Sequence, residues 1–146
     1  MIKKPLQKKV VLEADDEGKL LFLSGTEEGG LLIKLFARDG RTFVASKAIT
    51  GVELRKKGVA VFVFAFCERT VASPAALDAI AVLQGVGFYT NLRLIISTAN
   101  TLHWLYGMPV APVTSETELH KLHPRANAFI EPQYSGEPNI TTPKQL

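Results

Sequence analysis

One cysteine, one tryptophan and three histidines among 146 residues leave few groups for the commoner kinds of site chemistry. Cys67 alone can form neither an internal disulfide nor a cysteine-based zinc cluster, and its place in an apolar run marks a buried, inert thiol suited to a reducing cytosol. No histidine precedes His103. Long apolar runs are missing as well. Gly58 to Cys67 carries no charge but falls well short of the roughly 20 residues that cross a bilayer. The uncharged stretch from Leu94 to Ser115 is interrupted by Asn100, His103 and two prolines, so no membrane segment is expected. No secretory leader is expected either, because Met1 to Lys9 is basic and Asp15, Asp16 and Glu17 soon follow. Charge of one sign is also scarce: 17 Lys/Arg stand against 14 Asp/Glu, a formal +3. Lys3, Lys4, Lys8 and Lys9 supply most of that excess, which reads as a solvated arm rather than a nucleic-acid patch. With 47% apolar and 21% charged residues, the composition is that of one globular domain with a modest core.

The first third is patterned as strands and turns. Val10 to Leu12, Leu20 to Leu23, Leu31 to Ala37 and Thr42 to Ala45 are short apolar runs separated by Asp15-Asp16-Glu17-Gly18, Glu27-Glu28-Gly29-Gly30 and Arg38-Asp39-Gly40-Arg41. This predicts an antiparallel meander, with Asp39-Gly40 as a two-residue primed hairpin turn. Ile49 to Lys57 is mixed and polar. Val59 to Phe66 suits a strand by its Val and Phe content and a buried helix by its length with its flanks. Pro74 presets a short helical turn, and Ala79 to Leu83 is the length of a buried parallel strand.

From Thr90 to Tyr106 the period becomes helical, placing Leu92, Ile95, Ile96, Ala99, Leu102 and Tyr106 on a core-facing stripe. The opposite face is unusual for lacking charge: Leu94, Ser97, Thr98, Thr101 and Leu105 lie there, and only Asp78 and Arg93 are charged between Thr70 and Ser115. Such a helix is either wrapped by its own domain or covered by another chain. On the second alternative, Thr98→Arg breaks association without unfolding the chain. Gly107 is placed to cap the helix, Pro109 follows, and Val110 to Val113 is a further short strand. Glu116 to Leu122 predicts one or two helical turns, and the proline-bearing tail from Pro124 is expected either extended and mobile or pinned along the surface. The expected division is therefore a domain over 1–115 and a turn with a tail over 116–146.

The candidate chemistry is thin. His120 and His123, with Glu116 and Glu118 near, form the one metal-like spacing, read as an exposed turn. His103 beside Trp104 reads as a packing or interface histidine. Gly85-x-Gly87 opens the long helix but lacks the third glycine of the dinucleotide pattern and the Gly-Lys-Ser/Thr of the phosphate loop, so it reads as a structural turn. Phe88 and Tyr89, beside it, serve either the core or a partner, and Arg93 either a partner carboxylate or its own domain's carbonyls.

Leu77-Asp78-Ala79-Ile80-Ala81-Val82, Gly85-Val86-Gly87-Phe88-Tyr89-Thr90-Asn91-Leu92-Arg93 and Gly107-Met108-Pro109-Val110 together resemble the TsaB-type tRNA threonylcarbamoyladenosine biosynthesis proteins. That family has L-D-A-I-A-V, G-P-G-S-F-T-G-L-R and G-x-P-V in this order. Leu21 to Thr26, the hairpin from Leu32 to Thr42 and the tail from Ile130 to Lys144 are similar at both ends. The chain departs from the pattern at Val86, Phe88, Tyr89 and Asn91, and Ser24 stands where an aspartate is customary. It also looks like an amino-terminal half-domain that keeps the tail without the second lobe.

The resemblance implies a single actin-like/ribonuclease-H-like α/β half-domain: a mixed sheet in which an antiparallel meander is followed by helix, strand, helix and strand. It implies a cytoplasmic, non-catalytic partner of the TsaD-type subunit, with a TsaE-type ATPase in the wider assembly, tRNA engaged only indirectly, and no metal or cofactor. The expected partner surface comprises Phe88, Tyr89, Arg93, Leu94, Ser97, Thr98, Thr101 and Leu105. Two alternatives stand beside it: a homodimeric scaffold no longer tied to tRNA modification, and a small peptidase-like hydrolase.

Overall fold

The computed structural model describes residues 18–121. Strands β1 (Lys19–Gly25), β2 (Leu31–Ala37), β3 (Phe43–Ile49), β4 (Leu77–Leu83) and β5 (Val110–Val113) form one sheet in the order β3-β2-β1-β4-β5. The first three are antiparallel, while β1, β4 and β5 are parallel. β1 lies at the centre and is buried along its whole length, which its continuous apolar run requires. Alternation along it sends Leu21 and Leu23 to one face and Leu20 and Phe22 to the other, into two separate clusters.

The first cluster lies under the helices α1 (Gly51–Lys57), α2 (Val59–Thr70) and α3 (Tyr89–Tyr106). The stretch after Ile49 is helical because Thr50 and Glu53 form a capping box: the Thr50 hydroxyl accepts from the Glu53 amide at 3.1 Å, and the Glu53 carboxylate accepts from the Thr50 amide at 3.4 Å. Val59 to Phe66, open between strand and helix, is helix. Val59, Val63, Phe66 and Cys67 are buried at helical spacing against the sheet, so packing of that stripe overrides the strand preference of the valines. Ser73 caps the single turn Pro74–Ala76 that leads into β4.

On α3, Leu92, Ile95, Ile96, Ala99 and Leu102 face the core as the periodicity predicts, each large side chain contributing about 2 kcal/mol by burial. Tyr106 does not. It ends the helix 42% exposed, and Met108 is the buried side chain at that end. Gly107 caps α3 at φ 87°, its amide donating to the His103 carbonyl.

The hairpin joining β2 to β3 also differs from expectation. It is a longer loop in which only Gly40 has positive φ, at 72°. The Asp39 carboxylate accepts from the amides of Arg41 and Thr42 at 2.8 and 2.9 Å, which holds Asp39 in an Asx-type turn instead of a primed one. Residues 116–121 form a 3-10 turn, and Leu119 within it is buried in the second cluster. Lys34 on β2 pairs with Glu116 of this turn at 2.8 Å, so the chain leaving β5 returns across the sheet. The run Val10 to Leu12, the basic arm, His123 and the tail lie outside the described residues.

Candidate interaction surface

α3 presents an outward stripe along its length. Leu94 and Leu105 are 48% and 50% exposed, Ser97 and Thr101 are exposed between them, and the only charge on the arc is Arg93. The hydroxyl of Thr101 donates to the Ser97 carbonyl at 2.8 Å, so that hydroxyl is already engaged within its own helix. The middle of the stripe is therefore small and weakly polar, and its two ends are large and apolar. Eighteen helical residues make a ridge about 27 Å long.

Thr98 is the exception among the expected surface residues. It is 8% exposed, with its hydroxyl donating to the Leu94 carbonyl at 2.8 Å, and so belongs to the edge of the core. The helical period puts it on the back of the helix, but period fixes only its angle around the axis and not its burial. Phe88 is exposed at the start of α3, Tyr89 is half-buried, and Arg93 is exposed with no ion pair among the described residues. Several exposed apolar residues escaped the sequence reading. Trp104, at 73% the most exposed large apolar side chain among the described residues, neighbours Leu105, and Val61 is exposed on α2. Trp104 was legible as the helix position beside Leu105, whereas Val61 depended on knowing that its segment is helical.

The glycine loop has a packing explanation. Gly85 and Gly87 adopt φ of 85° and 96°, and a Cβ on Gly87 would meet the Gly25 Cα at 3.0 Å, so backbone lies directly on backbone at the end of β1. Asn91 donates its side-chain amide to the Gly29 carbonyl at 2.7 Å, tying the first turn of α3 to the β1–β2 turn. Ser24 is buried, its hydroxyl donating to the Gly25 carbonyl at 2.6 Å.

Three of the titratable residues singled out for chemistry, His103, Glu116 and Glu118, are held in structural contacts. His103 is buried, with Nδ1 at 2.7 Å from the Met108 carbonyl oxygen, joining the end of α3 to the entry of β5. Glu116 pairs with Lys34, and Glu118 accepts from the Thr114 amide at 3.0 Å and its hydroxyl at 2.8 Å. His120 is exposed. No metal-ligand group of three is gathered among the described residues. Burial pushes the Cys67 thiol up to about 12.

This five-stranded mixed sheet with its helices is an α/β fold of the actin-like half-domain type. Solved structures share it, among them two from Pseudomonas aeruginosa. A protein of Pseudomonas aeruginosa described as uncharacterised with similarity to peptidase YeaZ superposes with a TM-score of 0.54 at 23% identity, over 66% of this chain and 43% of that one. YeaZ from Pseudomonas aeruginosa superposes at 0.53 with 22% identity, over the same shares. The chain thus spans less than half the length of either. No family model matches the sequence, and no curated protein matches it. No helix among the described residues is long and apolar enough to cross a membrane.

Proposed function

We propose that this chain is a non-catalytic companion subunit of a TsaD-type tRNA-modifying enzyme, gripping it through the outward stripe of α3. The carrying observation is the exposed ridge, charged only at Arg93, on a YeaZ-like fold, the fold expected of a TsaB-type protein. Water solvates a charged helix back at no loss, whereas covering Leu94, Trp104 and Leu105 gains about 25 cal/mol per Å² of apolar surface. Ser97 and Thr101 let a second helix approach closely at mid-ridge. In this reading the chain is cytoplasmic, holds no cofactor, joins an assembly that includes a TsaE-type ATPase, and meets tRNA only through its partner. The hydrolase reading has less support, because His103 is occupied by the Met108 carbonyl and His120 stands on an exposed turn.

One observation favours self-pairing as a second reading. The stripe is near-symmetric about its middle: in an antiparallel pair that sets Ser97 of one copy against Thr101 of the other, Leu94 falls opposite Trp104 and beside Leu105, the pattern of a two-fold interface. Light scattering of the purified chain, alone and mixed with its host's TsaD-type protein, separates the two. A stable mixed complex supports the companion role; a homodimer that ignores that protein supports self-pairing and overturns it.

A further inference from the structure

Beside the stripe, at the start of α3, lies a groove of about 400 Å³. Its floor includes Leu54 and Val59, both buried, at the elbow between α1 and α2, and its rims include the exposed Phe88 and Leu94. The opening is built into the backbone. Gly58 turns the elbow at φ 93° with open space where a Cβ would stand, and Gly29, at φ 88°, leaves the place that the Phe88 ring occupies. The Asn91–Gly29 hydrogen bond fixes one wall relative to the other.

One charge lines this apolar groove, and no described carboxylate answers it. Arg55 makes no ion pair among the described residues, and Lys56 and Lys57 follow it, both exposed. The carboxylate nearest in sequence, Glu53, is turned back onto Thr50 as the α1 cap. Glu27 and Glu28 stand exposed on the turn before Gly29 and pair with none of the three cations. We propose that the groove docks a partner protein's apolar side chain that is followed by a carboxylate, with the side chain on Leu54 and Val59 and the carboxylate on Arg55. This rests on the companion-subunit reading, since the groove continues the α3 stripe through Leu94. Apolar walls lined by Arg55 alone among the three cations match an acidic amphipathic segment better than a nucleic-acid backbone, which asks for several cations and few apolar contacts.

The test uses the full chain labelled with ¹⁵N and a synthetic hexapeptide of alternating leucine and aspartate, against the same peptide with lysine for aspartate. The acidic peptide is expected to move the amide signals of Gly58 and Asn91 and the lysine peptide to leave them. Arg55→Glu should weaken binding about tenfold and Arg55→Gln less, with circular dichroism unchanged. Lys47→Glu, an exposed position on β3 outside the groove, should leave peptide binding intact. Equal binding of both peptides, no binding, shifts confined to other elements, or an Arg55→Glu variant that binds normally would each overturn the proposal. So would an oligonucleotide or an anionic vesicle that moves the same signals while the peptide does not. A chain that binds the peptide but no TsaD-type protein would sink the companion role and leave the groove standing. A complex that forms while the peptide fails would do the reverse.

Discussion

The side-chain amide of Asn91 donates to the carbonyl of Gly29 at 2.7 Å, across 62 residues of sequence. This bond locks the N-terminal end of the α3 ridge to the turn at the end of β1. Asn91→Ala removes the donor and leaves a part-buried carbonyl unanswered, at an expected cost of about 1–2 kcal/mol. Urea unfolding of the variant measures it. An unchanged midpoint would mean that the start of α3 is held by packing alone.

Thr98 and Thr101 lie one turn apart, one buried and one exposed, and so should respond oppositely to the same change. Thr98→Arg forces a charge into the core edge and is expected to destabilise the chain by roughly 3 kcal/mol or more. Thr101→Arg should leave the melting temperature nearly unchanged while abolishing association. Thermal melts paired with sedimentation of each variant decide the matter, and similar behaviour of the two variants would contradict the assigned faces.

Ala72 follows the last turn of α2 at φ 73°, the left-handed region where a helix end ordinarily carries glycine. Replacing it, Ala72→Gly, relieves the Cβ and should raise stability by about 0.5–1 kcal/mol. Loss of stability in denaturant titration would show that this residue is not held there in solution.

Two groups make stability depend on pH, at opposite ends of the scale. Asp39 is held below its usual carboxylate value, chiefly by the Thr42 amide, then by the Arg41 amide and the Thr42 hydroxyl. Its folded value lies below its unfolded one, so its stabilisation is fully present above about pH 4 and is lost as pH falls through the lowered value. Asp39→Asn should flatten the acid limb of the stability curve. Cys67 works in the other direction. Its thiol is pushed up to about 12 in the folded chain by desolvation, so the unfolded chain ionises first and stability falls as pH rises past the unfolded value near 9.0. Cys67→Ala should flatten the alkaline limb, and native Cys67 should react with a thiol reagent only on unfolding.

Much of this architecture was legible where local chemistry and tertiary context agree. The limits of β2, the Gly107 cap and the buried stripe of α3 all follow from apolar period and turn residues. The failures have particular causes. α1 was announced by Thr50 and Glu53 at capping-box spacing, a signal overlooked in a polar stretch. The fate of Val59 to Phe66 depended on the sheet beneath it, which no local window contains. Thr98 and Tyr106 changed sides because a helix period fixes relative angles, whereas burial is set by tertiary packing that no local window contains. The ridge itself was visible as an absence of charge. The groove was not, since its walls come from segments far apart in sequence.

The most direct measurement uses the buried Cys67 to advantage. In Ser97→Cys the introduced thiol is the one exposed thiol of the chain, at the middle of the α3 ridge, and its alkylation rate reports whether that ridge is covered. Adding an equimolar TsaD-type protein is expected to slow alkylation at least about tenfold, as burial in a stable interface requires. An unchanged rate, in a chain that stays monomeric at every concentration, would contradict the account.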